Sequence, residues 1–324
     1  MRVGLMRLSL VLAGLAVAAG CQPASSHTHE SEPRSVHKFA GEFPMRVVCT
    51  TGQVAELAQR IGGEFVEIEA LMGPGVDPHL YSPVASDVRK LSAADVIFYN
   101  GLHLEGRMAD LFVQMARSKA TFAVTEGLQM RQDKRLREPP EFAGLYDPHV
   151  WHDPLIWADC VKDMAEAMAE FDPPHAETYR TNAEAYRAEL TELDKFIRTE
   201  VAKIPQENRV LVTAHDAFGY FGKTYGIEVF GLKGISTEEE KDLDRQEELV
   251  QMIVKRKIPA VFVESAVAPK TIKALVEPCQ ALGWDVKIGG SLYADALGPA
   301  GTPDETYAGM LRANVRTIVT ALSN

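Results

Sequence analysis

What this chain lacks narrows its chemistry first. Its 324 residues hold four cysteines, Cys21, Cys49, Cys160 and Cys279, and no CxxC pair, which removes a thiolate zinc site and a dithiol redox motif. HExxH and GxSxG are absent as well, so the usual signatures of zinc peptidases and serine hydrolases are missing. Basic residues are outnumbered, 34 Lys and Arg against 45 Asp and Glu, and a net charge of −11 gives no electrostatic ground for binding nucleic acid. No apolar run is long enough to span a bilayer, which needs about 20 residues. The nearest candidate, Leu8 to Gly20, falls short.

That short run has a different use. It follows Arg2 and Arg7 and gives way to a polar segment after Cys21, the pattern of a secretory signal over residues 1–20. Ala18-Ala19-Gly20-Cys21 resembles a bacterial lipobox, in which the cysteine becomes the lipidated first residue. The mature protein is therefore expected outside the cytoplasm, on the periplasmic or cell-surface side, held to the membrane by acyl chains on Cys21. Residues 21–44, with Ser, Glu, Pro and the histidines His27, His29 and His37, read as a flexible tether, and those histidines as incidental to it. Cys49, Cys160 and Cys279 read as small buried apolar residues.

Beyond the tether, short β-branched runs alternate with segments of helical period. Strands are expected at 46–50, 64–71, 96–99 and 121–124, with helices at 53–61, 84–92, 105–118 and 155–171. From His175 to Lys203 there is neither glycine nor proline, and Tyr179, Ala183, Tyr186, Leu190, Leu193 and Ile197 recur every three or four residues. This predicts one continuous helix, a rod of about 43 Å, with Asp172 as its N-cap before Pro173-Pro174. A second alternation follows, with strands at 210–213, 227–230, 260–264 and 284–288 and helices at 217–225, 246–257, 270–282 and 305–322. The fold class is α/β, two lobes each built on a parallel sheet with flanking helices and joined by one long rigid helix. The boundaries are 45–172 for the N-terminal lobe, 173–204 for the linking helix and 205–324 for the C-terminal lobe.

Four residues carry the chemistry: His79 in GVDPHLYSP, His149 in YDPHVWHDP, His215 in TAHDAFGYF and Asp295 in SLYADALG. Three imidazoles and a carboxylate suit a divalent transition metal. Singly each has a plain structural role, the two Asp-Pro-His segments as turns and the others as helix or loop caps. Together they follow strands of both lobes, the edge at which open α/β sheets bind ligands, so a shared site would lie between the lobes.

GVDPHLYSPVASDVRKL, NGLHLEG, DPHVWHDP, VTAHDAFGYF, ISTEEE, VFVES and SLYADALGPAGTPDETYAGMLRANVRTIV resemble the zinc- and manganese-binding solute-binding lipoproteins of ABC importers, the TroA-like group, from about residue 46 to the C-terminus. The resemblance implies the same four ligands, Zn2+ or Mn2+ as cargo, and an ABC permease with its ATPase as partners of a monomeric receptor. Many manganese binders of the group have glutamate at the position of His215. Many dedicated zinc binders carry a histidine-rich loop where residues 129–146 have no histidine. The shell should favour Zn2+ over Mn2+ in affinity, whichever ion is transported. Glu264 is a candidate acceptor for a ligand's ring N–H, and His152 is either a group supporting a ligand or an unrelated polar residue at the start of the following helix, whereas by the resemblance His103 and His175 are not ligands. Release is expected from a small displacement of Asp295 and His215 relative to His79 and His149. The competing readings are a secreted zinc hydrolase, disfavoured because a fourth protein ligand closes the shell, and an additional role as a surface adhesin.

Overall fold

The computed structural model describes residues 38–239 and 242–323. The first strand, β1 (Met45–Cys49), is flanked in the N-terminal sheet by β2 (Val66–Ala70) and β3 (Val96–Tyr99), with β4 (Ala120–Ala123) outermost, all parallel. Its burial explains its sequence. Met45, Val47, Val48 and Cys49 are covered on both faces, so the strand is apolar without alternation, as inner parallel strands are. Helices α1 (Gly52–Gly62), α2 (Ala85–Ala93), α3 (Ala109–Met115), α4 (Glu126–Met130) and α5 (Pro154–Phe171) complete this half.

The second half holds two parallel pairs, β5 (Val210–His215) with β6 (Glu228–Lys233), and β7 (Ala260–Glu264) with β8 (Lys287–Leu292). Strands β5 and β7 pack against each other. Read across that contact, the order β6-β5-β7-β8 matches β2-β1-β3-β4, so the two lobes share one plan. The helices here are α7 (Gly219–Tyr225), α8 (Leu243–Arg256), α9 (Lys270–Ala281) and α10 (Tyr307–Leu322).

Between the halves runs α6 (Ala176–Val201), and the six apolar residues expected on its inner face are all buried. It is no free-standing strut: it packs on α1, α5 and α10, and one continuous core runs from Met45 through Leu190 to Leu322. The three described free cysteines are buried within the molecule. Asp172 does not cap the long helix. Its Oδ2 accepts from Tyr179 Oη at 2.5 Å and from His175 Nδ1 at 2.8 Å, because a turn of 3-10 helix over Pro173–His175 intervenes. Asp153 makes the cap that Asp172 does not, accepting from Leu155 N and Ile156 N at the start of α5.

The end of the segment read as tether lies on the body. Phe39 N donates to Phe171 O at 2.7 Å, and its ring meets Phe43 and Phe171. Cys21 and the tether histidines His27, His29 and His37 lie outside the described residues. Among the described residues no helix is long and apolar enough to cross a membrane.

Candidate metal centre

The local chain explains how each of the four residues is presented. Asp77 and Asp147 both fold back as the Asp-Pro-His turns predict, each Oδ1 accepting the main-chain N–H of the histidine two residues on, at 2.9 Å for His79 and 3.0 Å for His149. Strand β5 runs two residues past the expected Thr213, so His215 is its last residue, and its main-chain N–H donates to Glu264 Oε1 at the end of β7. Asp295 lies three residues past β8, and the carbonyl of the preceding Ala294 accepts from Trp151 Nε1 at 2.9 Å and His152 Nε2 at 3.0 Å.

These turns aim the four side chains at one point. His149 Nε2 is 3.2 Å from His79 Nε2, 3.4 Å from His215 Nε2 and 3.3 Å from Asp295 Oδ1, and His215 Nε2 is 3.3 Å from Asp295 Oδ2. One ligand atom from each lies within 4.8 Å of every other, and all four residues are buried. A tetrahedron with bonds of 2.0–2.1 Å has edges of about 3.3–3.4 Å, so this spacing suits an ion at the centre. Both Asp295 oxygens are buried and accept no hydrogen bond. A buried carboxylate in that state calls for a cation.

Two carboxylates behind the imidazoles set their tautomers. His149 Nδ1 donates to Asp147 Oδ1 at 2.8 Å and His215 Nδ1 to Glu264 Oε2 at 2.6 Å, which turns the Nε2 lone pair of each ring toward the centre. Burial opposes protonation of both rings. For His215 the charges of Glu264 and Asp295 outweigh it and hold the pKa well above its ordinary value. For His149, Asp147 and then Asp295 raise it above its ordinary value. Burial would push the Asp295 carboxyl up, but the facing imidazoles hold it well below its usual range. His79 is the opposite case: burial and its two imidazole neighbours outweigh Asp295 and push it down to about 3.

Glu264 is thus the residue against the His215 ring. His152 is buried beside Phe218 and pushed down to about 3, first by burial and then by His149; it holds the Ala294 carbonyl, outside the group of four. His103 is exposed in a left-handed turn, and His175 stacks on Phe65 at 4.0 Å. Two supporting residues were not anticipated, Asp147 and Arg137. From its Asp-Pro-His segment Asp147 has only a turn role, yet its Oδ1 serves both the main chain and the ring of His149. Arg137, from the histidine-free loop, pairs with the other oxygen of Asp147, and Tyr220 Oη accepts from Arg137 N and donates to Asp147 O. A Cβ on Gly219 would lie 1.1 Å from the Arg137 guanidinium, so a larger residue there would push that group away from Asp147.

The family described as zinc-uptake complex component A, periplasmic, matches residues 47–321. The chain belongs to that family. It is 45% identical over 86% of its length to the manganese-binding lipoprotein MntA of Bacillus subtilis (strain 168), covering 90% of that protein. It is 43% identical to the zinc-binding protein TroA of Treponema pallidum (strain Nichols), over 86% of this chain and 88% of that one. The solved structure of the periplasmic zinc-binding protein TroA superposes with a TM-score of 0.82 at 42% identity, over 88% of this chain and all of TroA. The two-lobed α/β architecture is thus that of TroA. Members of the zinc-uptake component A family are solute-binding parts of metal importers, not enzymes.

Proposed function

We propose that this protein captures Zn2+ or Mn2+ outside the cytoplasm and delivers it to the permease and ATPase of an ABC importer, with His79, His149, His215 and Asp295 as the ligands. The observation that carries the proposal is the buried meeting of three imidazole nitrogens with a carboxylate whose oxygens accept no hydrogen bond, two donors from each lobe. A shell closed by four protein groups leaves no open position for a substrate water, which suits cargo and not hydrolysis. The names of two similar proteins, one manganese-binding and one zinc-binding, support both ions. The affinity order favours zinc as the tighter ligand. We further take the protein to be a monomer, anchored through lipidated Cys21, with lobes at 45–172 and 205–324 joined by 173–204.

Calorimetric titration of metal-stripped protein tests the ligand set. His79→Ala, His149→Ala and His215→Ala should each weaken Zn2+ binding at least about tenfold, or 1.4 kcal/mol. His103→Ala and His175→Ala should bind as wild type does. Wild-type affinity in any of the first three would remove that residue from the site.

A further inference from the structure

The four side chains are not held alike. His149 is fixed by Asp147 and Arg137, His215 by Glu264, and Asp295 through the Ala294 carbonyl, all in buried networks. His79 depends on Asp77, whose Oδ1 accepts the His79 main-chain N–H. The other oxygen of Asp77 accepts from Thr237 Oγ1 at 2.6 Å, and Thr237 belongs to the opposite lobe. One residue further on, Glu238 pairs with Arg107 at 2.5 Å, and Arg107 in turn donates to Leu80 O, next to His79, at 2.9 Å. The loop bearing Thr237 and Glu238 is braced from within. Lys233 Nζ donates to Thr237 O at 2.5 Å, and Gly234 N donates to Glu239 Oε2 at 3.1 Å. Beside it lies an open cleft of about 780 Å3, lined by Asp77, Leu80, Thr237 and Glu238.

We infer that Thr237 and Glu238 form a latch that holds His79 in place from the C-terminal lobe, and that opening this latch sets the rate at which metal leaves. The inference rests on the proposed metal site and relocates the first step of release. The ligand that lets go first is His79, not Asp295 or His215. Thr237 and Glu238 are positioning residues: they touch the groups that hold His79 and not the ion. The arrangement also gives the importer a handle, because Glu238 and its partner Arg107 are both about half exposed, and a partner that engaged either would loosen the His79 turn without entering the buried site.

The test is stopped-flow release of Zn2+ from the full chain into an excess of a chromogenic chelator. Thr237→Val keeps the volume and removes the donor to a carboxylate, and should raise the off-rate about tenfold or more. Glu238→Gln should move it in the same direction, and Thr237→Ser, which keeps the hydroxyl, should return it to near the wild-type value. That rescue separates the latch from a general loss of stability, and Glu238→Gln carries the test if Thr237→Val does not fold. A wild-type off-rate in both Thr237→Val and Glu238→Gln, while His79→Ala loses metal, overturns the latch and leaves the site standing. Wild-type binding by His79→Ala would overturn the site itself.

Discussion

Asp147 is buried between the His149 imidazole and the Arg137 guanidinium, so replacing it separates ligand orientation from ligand identity. Asp147→Asn preserves the shape, removes the charge that fixes the tautomer of His149, and leaves Arg137 only its longer pairing with Asp216 at 3.6 Å. Changes of this kind behind a ligand cost about 10–100-fold in metal affinity, and calorimetry on the variant should show a loss of that size with all four ligands intact. Protons give a second residue-scale prediction. His215, and to a lesser degree His149, hold their protons more tightly than ordinary imidazoles, so metal has to displace protons from those two rings. Apparent affinity should rise with pH through the neutral range. For the metal-free fold the same two groups contribute stability below about pH 6.5 that is lost as pH rises through their raised values. His79, pushed to about 3, contributes in the opposite sense: its share is present above about pH 6.5 and is lost as pH falls through about 3. Titrations at pH 7 in two buffers of different ionisation heat should report net proton release on binding. No release, or uptake, would contradict the assigned protonation.

At the scale of elements, much was legible because parallel sheets and amphipathic helices write their period directly into the sequence. Strands β3 and β7 fall on the expected residues, and the buried face of α6 carries the predicted stripe. What could not be read were features that depend on partners distant in sequence. The Asp172-Pro173-Pro174 start looked like a cap, but Tyr179 and His175 claim the carboxylate. Strand β8 lies further along than Trp284 suggested, since Trp284 Nε1 instead donates to Ile258 O at 2.8 Å outside the strand. Helix α4 is too short to show a period at all. The helix α6 also bears on dynamics. It contains no glycine or proline over Ala176–Val201, and kinks almost always need one of these or an inserted group. Since α6 packs on both lobes within one core, a wide hinge would have to break that core. Solution scattering should therefore give the same radius of gyration with and without metal. A marked compaction on binding would show that the lobes close about a hinge.

On the scale of the whole molecule, the two lobes meet around donors that neither could assemble alone. His79 and His149 come from the first half and His215 and Asp295 from the second, so the site is a property of the complete fold. The four clustered side chains stand out in the sequence because histidines in Asp-Pro-His turns and at a strand end are unusual in combination. Their supports, Asp147 and Arg137, were not, because an aspartate in a turn and an arginine in a charged loop have common local uses. X-ray absorption at the zinc edge, on metal-stripped protein reloaded with one equivalent of Zn2+, tests the central claim most directly. The account predicts one ion per chain bound by three imidazoles and one carboxylate at about 2.0–2.2 Å. Sulfur in the shell, or fewer than three imidazoles, would contradict it.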